Sequence, residues 1–312
     1  MDEFSLIEKI RKGFPIPEDI TGIGDDCAII PQHDGFETLI STDMLVEGSH
    51  FILDEISPFQ LGWKSAAVNF SDIAAMGGKP EGSFLALALP SKIRNSWIDD
   101  FMDGYRTISM KYGIPLLGGD TTSSPDRLTI CVTVMGKAGI GKAKRRSTAK
   151  ADDLICVTGC LGDSAGGLAV VLKGYERHSD EEYLVEKHYL PEPRIEEGMI
   201  LAGYEGVHAM MDISDGIGSD IRHIMEESGV GAIIDTCALP HSPQLVRMCS
   251  RHGLNVKDLS LEGGEDYELL FTVDPAVERT LEVKHYVIGR ITSDSRLEWK
   301  GSDKDYMGFR HF

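Results

Sequence analysis

The stretch Thr21-Gly-Ile-Gly-Asp-Asp-Cys-Ala-Ile-Ile30 places two adjacent carboxylates, Asp25 and Asp26, directly before a short apolar run. The glycines at 22 and 24 let the backbone approach a ligand closely, and residues 28–30 are typical of a strand that enters a core. Two neighbouring ionised acids repel each other unless a cation lies between them, and hard cations prefer oxygen ligands. Taken alone, the stretch is better explained as an acidic turn before an edge strand. A cation site is therefore indicated only if the pattern recurs.

The pattern recurs: six times along the chain, acidic residues lie beside Gly, Ser, Thr or Asn where an apolar element begins, ends or presents one face. The positions are Asp25-Asp26, Asp43, Asp72, Asp120, Asp212 with Asp215, and Glu265-Asp266. Carboxylates cannot stay close together and ionised in a partly buried site without cations, because like charges repel strongly there. Since no paired His or Cys accompanies them, the oxygen-only set predicts Mg²⁺ rather than zinc or copper. Mg²⁺ with glycine loops and basic residues is typical of phosphoryl transfer.

Hydrophobic periodicity predicts both strands and helices along the chain. The predicted strands are 28–30, 38–43, 83–89, 114–117, 128–136, 153–158, 207–213, 231–235, 268–273 and 285–291. The predicted helices are 4–12, 58–75, 95–112, 168–173, one between 193 and about 204, 217–228 and 243–252. Asn69 and Asp72 share one face of the helix 58–75, because residues three apart are neighbours on a helix surface. We expect this face and the acidic loops to surround one shared pocket.

At 312 residues the chain is long for a single hydrophobic core, so two domains are expected. The segment 139–150 lacks apolar periodicity and is the natural boundary, which predicts domains at 1–140 and 141–312. Its basic residues are Lys142, Lys144, Arg145, Arg146 and Lys150. The segment is either a solvated linker or an arm that faces a phosphate. A glycine-rich stretch at 159–167 precedes a helix, but it lacks the ending of a P-loop and is a weak nucleotide signal.

The net charge of −19 argues against nucleic acid or an anionic membrane as a partner. No apolar run reaches the ~18 residues of a membrane span, and the acidic N-terminus does not have the pattern of a signal peptide. The cysteines are Cys27, Cys131, Cys156, Cys160, Cys237 and Cys249. They form no C-x-x-C pair and are expected to be buried reduced thiols. Together these features predict a cytoplasmic protein.

Six segments in order along the chain carry a resemblance to a known family. They are Gly24-Asp-Asp, Ser41-Thr-Asp-Met-Leu-Val-Glu-Gly-Ser-His-Phe51, Val68-Asn-Phe-Ser-Asp-Ile-Ala-Ala-Met-Gly77, Gly118-Gly-Asp-Thr121, Met211-Asp-Ile-Ser-Asp-Gly216 and Gly263-Gly-Glu-Asp-Tyr-Glu-Leu-Leu-Phe271. In sequence and spacing they resemble the thiamine-monophosphate kinase family, which belongs to the superfamily of aminoimidazole ribonucleotide synthetase and selenophosphate synthetase. The second and last segments favour the thiamine kinases over their relatives.

The resemblance implies an α/β (α+β) class and a two-domain synthetase-like fold, with an N-terminal mixed sheet covered by helices and a C-terminal α/β domain. It also implies a homodimer formed through the N-terminal sheets. The implied activity is ATP-dependent phosphorylation of thiamine monophosphate to thiamine diphosphate by direct transfer, without a phosphoenzyme. The attacking phosphate oxygen is already ionised near pH 7, so no protein nucleophile or general base is expected.

The resemblance also implies a role for individual residues. The implied ligands of several Mg²⁺ ions are Asp26, Ser41, Thr42, Asp43, Asp72, Asp120, Asp212 and Asp215. The implied ATP contacts are Gly119, Asp120, Arg146 and Ser214, and the implied contacts to thiamine monophosphate are His50, Glu265 and Phe309. Two departures stand out: Cys27 occupies a position where Ala is usual, and residues 145–150 differ from the usual Arg-Ser-Gly-Ala-Lys. The second departure leaves open whether Arg145 or Arg146 meets ATP.

Two other functions remain open at the level of sequence. The first is another ATP-dependent enzyme of the same superfamily, acting on a different phosphate or carboxylate substrate. The second is a non-catalytic protein that binds Mg²⁺ or a nucleotide and whose acids are structural. A Ser-His-Asp hydrolase is not indicated, because nothing in the sequence resembles the arrangement of those three residues in such enzymes.

Overall fold

The computed structural model describes residues 20–21, 24–32 and 35–309. The predicted helix 4–12 and Gly22 lie outside these residues. Two β-sheets with their covering helices account for the described chain, which confirms the predicted mixed α/β class.

The first sheet has five strands and belongs to the N-terminal half of the chain. Its strands are β1 (Ala28–Pro31), β2 (Phe36–Val46), β3 (Lys79–Pro90), β4 (Leu116–Ser124) and β5 (Thr129–Gly139). Their order is β1-β2-β5-β3-β4, and all neighbours are antiparallel except β3 and β4. Helices α1 (Pro58–Ala75) and α2 (Asn95–Tyr112) pack together over one face of this sheet.

Helix α1 begins and ends where the sequence predicts, because both of its ends are defined by local residues. Ser57 is its N-cap, and the Ser57 hydroxyl accepts a hydrogen bond from the backbone N–H of Gln60. Pro58 occupies the first turn, where its missing N–H costs no hydrogen bond. After the helix, Gly77 adopts a φ of 67°, a left-handed conformation that favours glycine.

The second sheet has six strands. They are β6 (Leu154–Val157), β7 (Val207–Asp212), β8 (Gly231–Asp235), β9 (Leu269–Val273), β10 (Tyr286–Thr292) and β11 (Leu297–Lys300). Strand β9 is buried throughout, whereas β10 and β11 expose part of one face. The order is β11-β8-β10-β6-β9-β7, and β11 and β8 form its parallel pair. The helices of this half are α3 (Asp163–Lys173), α4 (Ser179–Tyr189), α5 (Ile195–Ala202), α6 (Ile217–Ser228), α7 (Pro243–His252), α8 (Val256–Glu262) and α9 (Pro275–Glu278).

The two halves are held together by helix α1, which also packs against the second half. A Cβ built on Gly198 of α5 would lie 2.2 Å from the carbonyl oxygen of Ala74, so only glycine allows the two helices to approach this closely. Ala75 of α1 and Leu201 of α5 are both fully buried in one apolar cluster. The predicted domain boundary after residue 140 falls between β5 and a 3₁₀ turn at Arg146–Thr148, and it remains a prediction.

Several sequence predictions about secondary structure were wrong in their bounds or missed an element. The cluster at 118–122 lies within β4 rather than after it, because β4 continues in parallel register with β3 as far as Ser124. Helix α3 begins at Asp163 instead of 168, since the Asp266 carboxylate accepts hydrogen bonds from the N–H groups of Gly162 and Ser164 at its start. Helices α8 and α9 and strand β11 were not predicted, because elements of four to seven residues carry little periodic signal. The 11-residue helix α4 was also missed.

All six cysteines are described and free, as expected, but they are not uniformly buried. Cys27, Cys156 and Cys249 are buried, whereas Cys237 is exposed on the surface. In the parts of the chain that the structure describes, no helix combines the length and the apolar character needed to cross a membrane.

Candidate functional site

A cleft of about 1510 Å³ lies between the two halves of the protein. Pockets for one small ligand usually measure roughly 300–1,000 Å³, so this cleft has room for more than one ligand. Most of the residues singled out from the sequence line it. These are Asp26, Ser41, Asp43, His50, Asp72, Arg146, Asp212, Ser214, Asp215, Glu265 and Phe309.

Three carboxylates from distant parts of the chain meet in this cleft. Asp26 precedes β1, Asp72 lies on α1, and Asp212 ends β7, yet each offers an oxygen within 4.8 Å of the others. Two serine hydroxyls orient them: Ser41 Oγ donates to Asp72 Oδ2 at 2.5 Å, and Ser71 Oγ donates to Asp212 Oδ2 at 2.5 Å. The arrangement groups acceptor oxygens with few donors, which is the environment of a cation site.

The electrostatics of these acids show that they repel one another when no cation is present. Burial, with the nearby charge of Asp26, raises the pKa of Asp43 to about 6. Burial and then the Asp26 charge raise the pKa of Asp212 to about 8. Burial and the Asp43 and Asp212 charges raise the pKa of Asp72 well above its usual range. Such shifts mean that the ionised forms lack compensating positive charge.

The environment of one Asp26 oxygen indicates whether this carboxylate cluster fits a metal ion. Asp26 Oδ2 is buried and has no hydrogen-bond partner among the residues that the structure describes. Its other oxygen, Oδ1, accepts a hydrogen bond from Arg146 Nη2 at 2.6 Å. A buried carboxylate oxygen without a partner costs free energy, and a hard divalent cation is the ligand that would satisfy it. The donor set therefore fits Mg²⁺.

Arg146 is the basic residue of the segment 139–150 that lines the cleft. Its backbone N–H donates to Asp25 Oδ1 at 2.7 Å. Burial lowers the pKa of its guanidinium, but the charge of Asp26 and the hydrogen bond to it outweigh burial and raise the pKa, so the group stays protonated. Lys144 instead turns into the protein and donates to the carbonyl oxygens of Tyr204 and Val207 at 2.9 and 2.6 Å. The segment is thus a packed turn rather than a solvated linker.

Glu265 lies at another part of the cleft and is held by groups from both halves. Its side chain is 28% exposed, and its Oε2 accepts a hydrogen bond from Lys64 Nζ at 3.0 Å. His188 Nδ1 lies 3.3 Å from the same oxygen. Glu265 has a φ of 63°, an uncommon conformation for a residue other than glycine. Strained backbone of this kind is often found at ligand sites.

Three of the residues expected at the site, Thr42, Gly119 and Asp120, do not line this cleft. Side chains alternate between the faces of a strand, so Thr42 points away from Ser41 and Asp43. The Thr42 hydroxyl donates to the carbonyl oxygen of Val132 at 3.0 Å, on the opposite face of the sheet.

Gly119 and Asp120 belong to β4, at the far edge of the same sheet. A Cβ on Gly119 would lie 1.8 Å from the carbonyl oxygen of Leu85, so glycine is needed for β4 to pair with β3 here. Asp120 is exposed, and its Oδ1 accepts a hydrogen bond from the N–H of Thr121 at 2.8 Å. The single chain therefore does not bring Asp120 to the other acids.

Asp266 has a structural role, although the sequence groups it with Glu265. Its carboxylate occupies the start of α3 and accepts hydrogen bonds from the N–H groups of Gly162 at 2.6 Å and Ser164 at 3.1 Å. Two N–H groups of the glycine-rich stretch 159–167 therefore already bind an internal carboxylate.

Sequence reasoning missed Ser71, Lys64 and His188, which support the acids of the cleft. Ser71 directly precedes Asp72, and Lys64, Val68 and Asp72 follow one another at four-residue steps along one face of α1. A lysine on the apolar face of a helix was thus a visible signal. Nothing local in the sequence marks His188, because its contact with Glu265 depends on how α4 packs.

Two family models match this chain. They are described as AIR synthase related protein, N-terminal domain, over residues 24–138, and AIR synthase related protein, C-terminal domain, over residues 150–300. The chain is 39% identical to a thiamine-monophosphate kinase from Haemophilus influenzae over 287 residues, covering 91% of this chain and 85% of the relative. It is 38% identical to a thiamine-monophosphate kinase from Bacillus subtilis over 277 residues, covering 88% and 84%.

Solved structures give the same result. A structure described as AaThiL complexed with AMPPCP and TMP superposes with a TM-score of 0.91 at 33% identity, covering 100% of this chain and 97% of that chain. A thiamine-monophosphate kinase from Stenotrophomonas maltophilia K279a superposes with a TM-score of 0.79 at 37% identity, covering 97% and 98%.

Proposed function

This chain belongs to the thiamine-monophosphate kinase family of AIR synthase related proteins, and on that basis we propose that it transfers a phosphoryl group from ATP to thiamine monophosphate. The products are thiamine diphosphate and ADP. The observation that carries this function is the cluster of Asp26, Asp72 and Asp212 in a cleft large enough for two substrates. The relative bound to AMPPCP and TMP, which we interpret as an ATP analogue and thiamine monophosphate, supports the same pair of ligands.

Different residues of the cleft would bind Mg²⁺ and the phosphates of ATP. Asp26, Asp43, Asp72 and Asp212 would hold Mg²⁺, with Ser41 and Ser71 fixing the carboxylates. Bound Mg²⁺ supplies positive charge that neutralises the phosphate groups of both substrates. The Arg146 guanidinium adds a fixed positive charge beside Asp26 for the phosphates of ATP.

The phosphoryl acceptor, thiamine monophosphate, has to be oriented by the protein but does not need acid–base catalysis. His50, Glu265 and the half-exposed ring of Phe309 line the cleft and would bind thiamine monophosphate, with Phe309 available to stack on a flat ring. The acceptor phosphate is largely ionised near pH 7, so no side chain has to remove a proton from it. Positioning the two phosphates in line is then the main contribution of the protein.

A single assay separates this function from its rivals. Purified protein is given ATP, MgCl₂ and thiamine monophosphate, and the products are separated by chromatography. We expect ADP and thiamine diphosphate to appear in equal amounts. ATP turnover only with other phosphate or carboxylate acceptors would favour another member of the superfamily, and thermal stabilisation by ATP without turnover would favour a binding protein.

The metal site predicts that Mg²⁺ stabilises the protein more at high pH than at low pH. Because the folded-state pKa values of Asp43 and Asp212 are raised to about 6 and about 8, the metal-free folded protein loses stability as the pH rises from the ordinary carboxyl range through these values. Mg²⁺ would bind the ionised carboxylates and offset that loss. Melting temperatures in EDTA and in MgCl₂ between pH 6 and pH 9 measure the effect. A gap that stays constant across this range would contradict the site.

Arg146 and Arg145 form a matched pair for testing the ATP side. Arg146 lines the cleft and contacts Asp26, whereas Arg145 does not line it. We expect Arg146→Met to lower kcat/KM for ATP by ~10²-fold, through a higher KM, a lower kcat or both. This is the size of the effect of losing one electrostatic contact to the reacting group. Arg145→Met should stay within about threefold of the natural enzyme. Steady-state kinetics with ATP as the varied substrate decide between the two, and equal losses would contradict the assignment.

We also propose that the protein acts as a homodimer. The face of the first sheet opposite α1 and α2 exposes large apolar side chains: Phe36 at 41%, Met44 at 55%, Phe84 at 37% and Leu117 at 56%. All residues of β4 except the last are exposed, which leaves an edge open for contact. Large apolar side chains exposed on one sheet face are typical of a protein interface. A second copy of this chain is the occupant that the family resemblance implies.

The dimer would also explain the positions of Thr42 and Asp120. In the sheet register, Met44 pairs with Cys131, Cys131 with Ala86, and Ala86 with Asp120, so Asp120 lies on the same exposed face as Thr42. Stacking this face on a second copy can bring Asp120 of one protomer towards the Thr42 side of the other. We propose that Gly119 and Asp120 of one protomer act at this interface, next to Thr42 of the other. The proposed compartment is the cytoplasm, and the acidic surface makes nucleic acid an unfavourable partner.

A further inference from the structure

Lys64 is a fully buried lysine whose ammonium group contacts the cleft residue Glu265. Its relative exposure is 0%, and its Nζ donates to Glu265 Oε2 at 3.0 Å. The two residues are 201 positions apart, Lys64 on α1 and Glu265 in the loop before β9. Burying an ammonium group costs several kcal/mol unless it is paired, so a lysine at this position requires a specific partner.

His188 completes the environment of the same carboxylate. It is 4% exposed, and its Nδ1 lies 3.3 Å from Glu265 Oε2 and 2.9 Å from Ser164 Oγ. Burial, with the nearby Lys64 charge, lowers the pKa of His188 to about 3, so its ring is neutral at physiological pH. Lys64 therefore supplies the positive charge of this group, and the charge of Lys64 lowers the pKa of Glu265 despite its burial.

Within the described part of the chain, the side-chain contacts of Glu265 fall on one of its two oxygens. Both Lys64 and His188 approach Oε2, while the side chain remains 28% exposed in the cleft. The backbone is fixed as well, since the Glu265 N–H donates to the Ser214 carbonyl oxygen at 2.8 Å. The carboxylate is thus ionised and held beside the loop that follows Asp212.

We propose that Lys64 is a positioning residue, which together with His188 holds the Glu265 carboxylate ionised and pointed at the cationic thiazolium and aminopyrimidine portion of thiamine monophosphate. This inference rests on the proposed function and identifies residues that would make the enzyme specific for the thiamine substrate. Thiamine monophosphate is anionic at its phosphate and cationic at its ring system. The cleft would match this polarity with metal-bound carboxylates for the phosphate and a free carboxylate for the ring.

A purely structural lysine makes a different prediction from a positioning lysine. If Lys64 only joins the two halves, its loss lowers the stability of the protein. The kcat and KM values of the protein that remains folded should then change little. If it positions Glu265, its loss acts on the thiamine substrate and not on ATP. The buried Glu265 would then lack its partner, which favours the protonated carboxyl and removes the negative charge that the ring system needs.

The experiment compares Lys64→Met, Lys64→Arg, Glu265→Gln and the double variant Lys64→Met/Glu265→Gln. We expect Lys64→Met to raise the KM for thiamine monophosphate by ~10–100-fold, the range caused by a misplaced binding group, with the KM for ATP within about twofold. Lys64→Arg should recover part of the loss because it keeps the charge. The double variant should be no worse than Glu265→Gln alone, because the two residues act through one contact.

The pH profile gives a second readout that a structural role would not change. The groups that face Glu265 are Lys64, His188, His50, Tyr189 and Tyr267. In Lys64→Met the raised pKa of Glu265 should make substrate binding improve as the pH rises. The ratio of its KM for thiamine monophosphate to that of the natural enzyme should therefore fall between pH 6 and pH 8. In the double variant this ratio should not change with pH, since Gln does not titrate.

Lys144→Met is the matched control, because Lys144 is also buried but donates only to the carbonyl oxygens of Tyr204 and Val207. It should lower the melting temperature without changing the KM for thiamine monophosphate. A folded Lys64→Met enzyme with an unchanged KM and an unchanged pH ratio would overturn the inference alone. A natural enzyme that neither binds nor phosphorylates thiamine monophosphate would overturn the proposed function, and the inference with it.

Discussion

Replacing Asp72 by asparagine is expected to lower kcat by ~10²–10³-fold, a loss comparable to removing one key electrostatic group from an active site. The same replacement is expected to stabilise the metal-free protein. The amide introduced by Asp72→Asn would keep the hydrogen bond from Ser41 but could not contribute a charge to Mg²⁺. In the metal-free protein the same change removes one of several mutually repelling carboxylates. The gain should be largest above pH 8, where Asp212 ionises.

Two measurements check this pair of effects: steady-state kinetics in saturating MgCl₂, and thermal melting in EDTA at pH 8.5. A gain of one kcal/mol corresponds to roughly 2–4 °C in a protein of about this size. Asp163→Asn is the control, because Asp163 is also buried and accepts a hydrogen bond from Ser242 Oγ at 2.5 Å, away from the cleft. It should lose stability and keep its kcat. An Asp72→Asn enzyme that stays fully active in limiting Mg²⁺ would rule out the metal site.

Placing charges on the open face of the first sheet is expected to split the dimer and abolish most of the activity. Phe84 and Leu117 are exposed by 37% and 56% on this face, and neither lines the cleft. The double variant Phe84→Asp/Leu117→Asp would bury like charges against their copies in the partner, which costs far more than a stable interface can offset. If Asp120 and Thr42 complete each other's site only in the dimer, kcat should fall by ~10²-fold or more.

Light scattering after size-exclusion chromatography gives the mass, and the same samples give kcat. Met110→Asp is a suitable control, because Met110 is 75% exposed on α2, on the helix-covered side of the sheet. It should change neither mass nor rate. A natural protein that is monomeric and fully active would contradict the dimer, and a monomeric variant with full activity would show that Thr42 and Asp120 act within one chain or not at all.

Local sequence signals predicted the secondary structure wherever both ends of an element are defined by nearby residues. Helices α1 and α2 have the predicted bounds, because a capping serine with Pro58 begins the first and Gly113, with a φ of 68°, ends the second. Helix α3 shows the limit of such signals. Its first turn depends on the Asp266 carboxylate, about a hundred positions further along the chain.

The candidate site was predictable in its chemistry but not in its assembly. Acids after strand ends indicated a cation site and phosphoryl transfer, and the family relation agrees with that function. Thr42 and Asp120 carry the same signals as Ser41 and Asp72, yet they lie on the other face of the sheet. Asp266 resembles Glu265 in its local sequence, yet it caps a helix.

The sequence alone determined which oxygen-bearing side chains this protein can offer to a cation, and which family and fold class it belongs to. These properties depend on residue chemistry, on periodicity and on motifs that can be read over a few positions. Only the tertiary structure decided which of these side chains meet, because the order of the strands and the packing of α1 bring residues together that are far apart in the chain. The Lys64–Glu265 pair, 201 positions apart, exists for that reason alone.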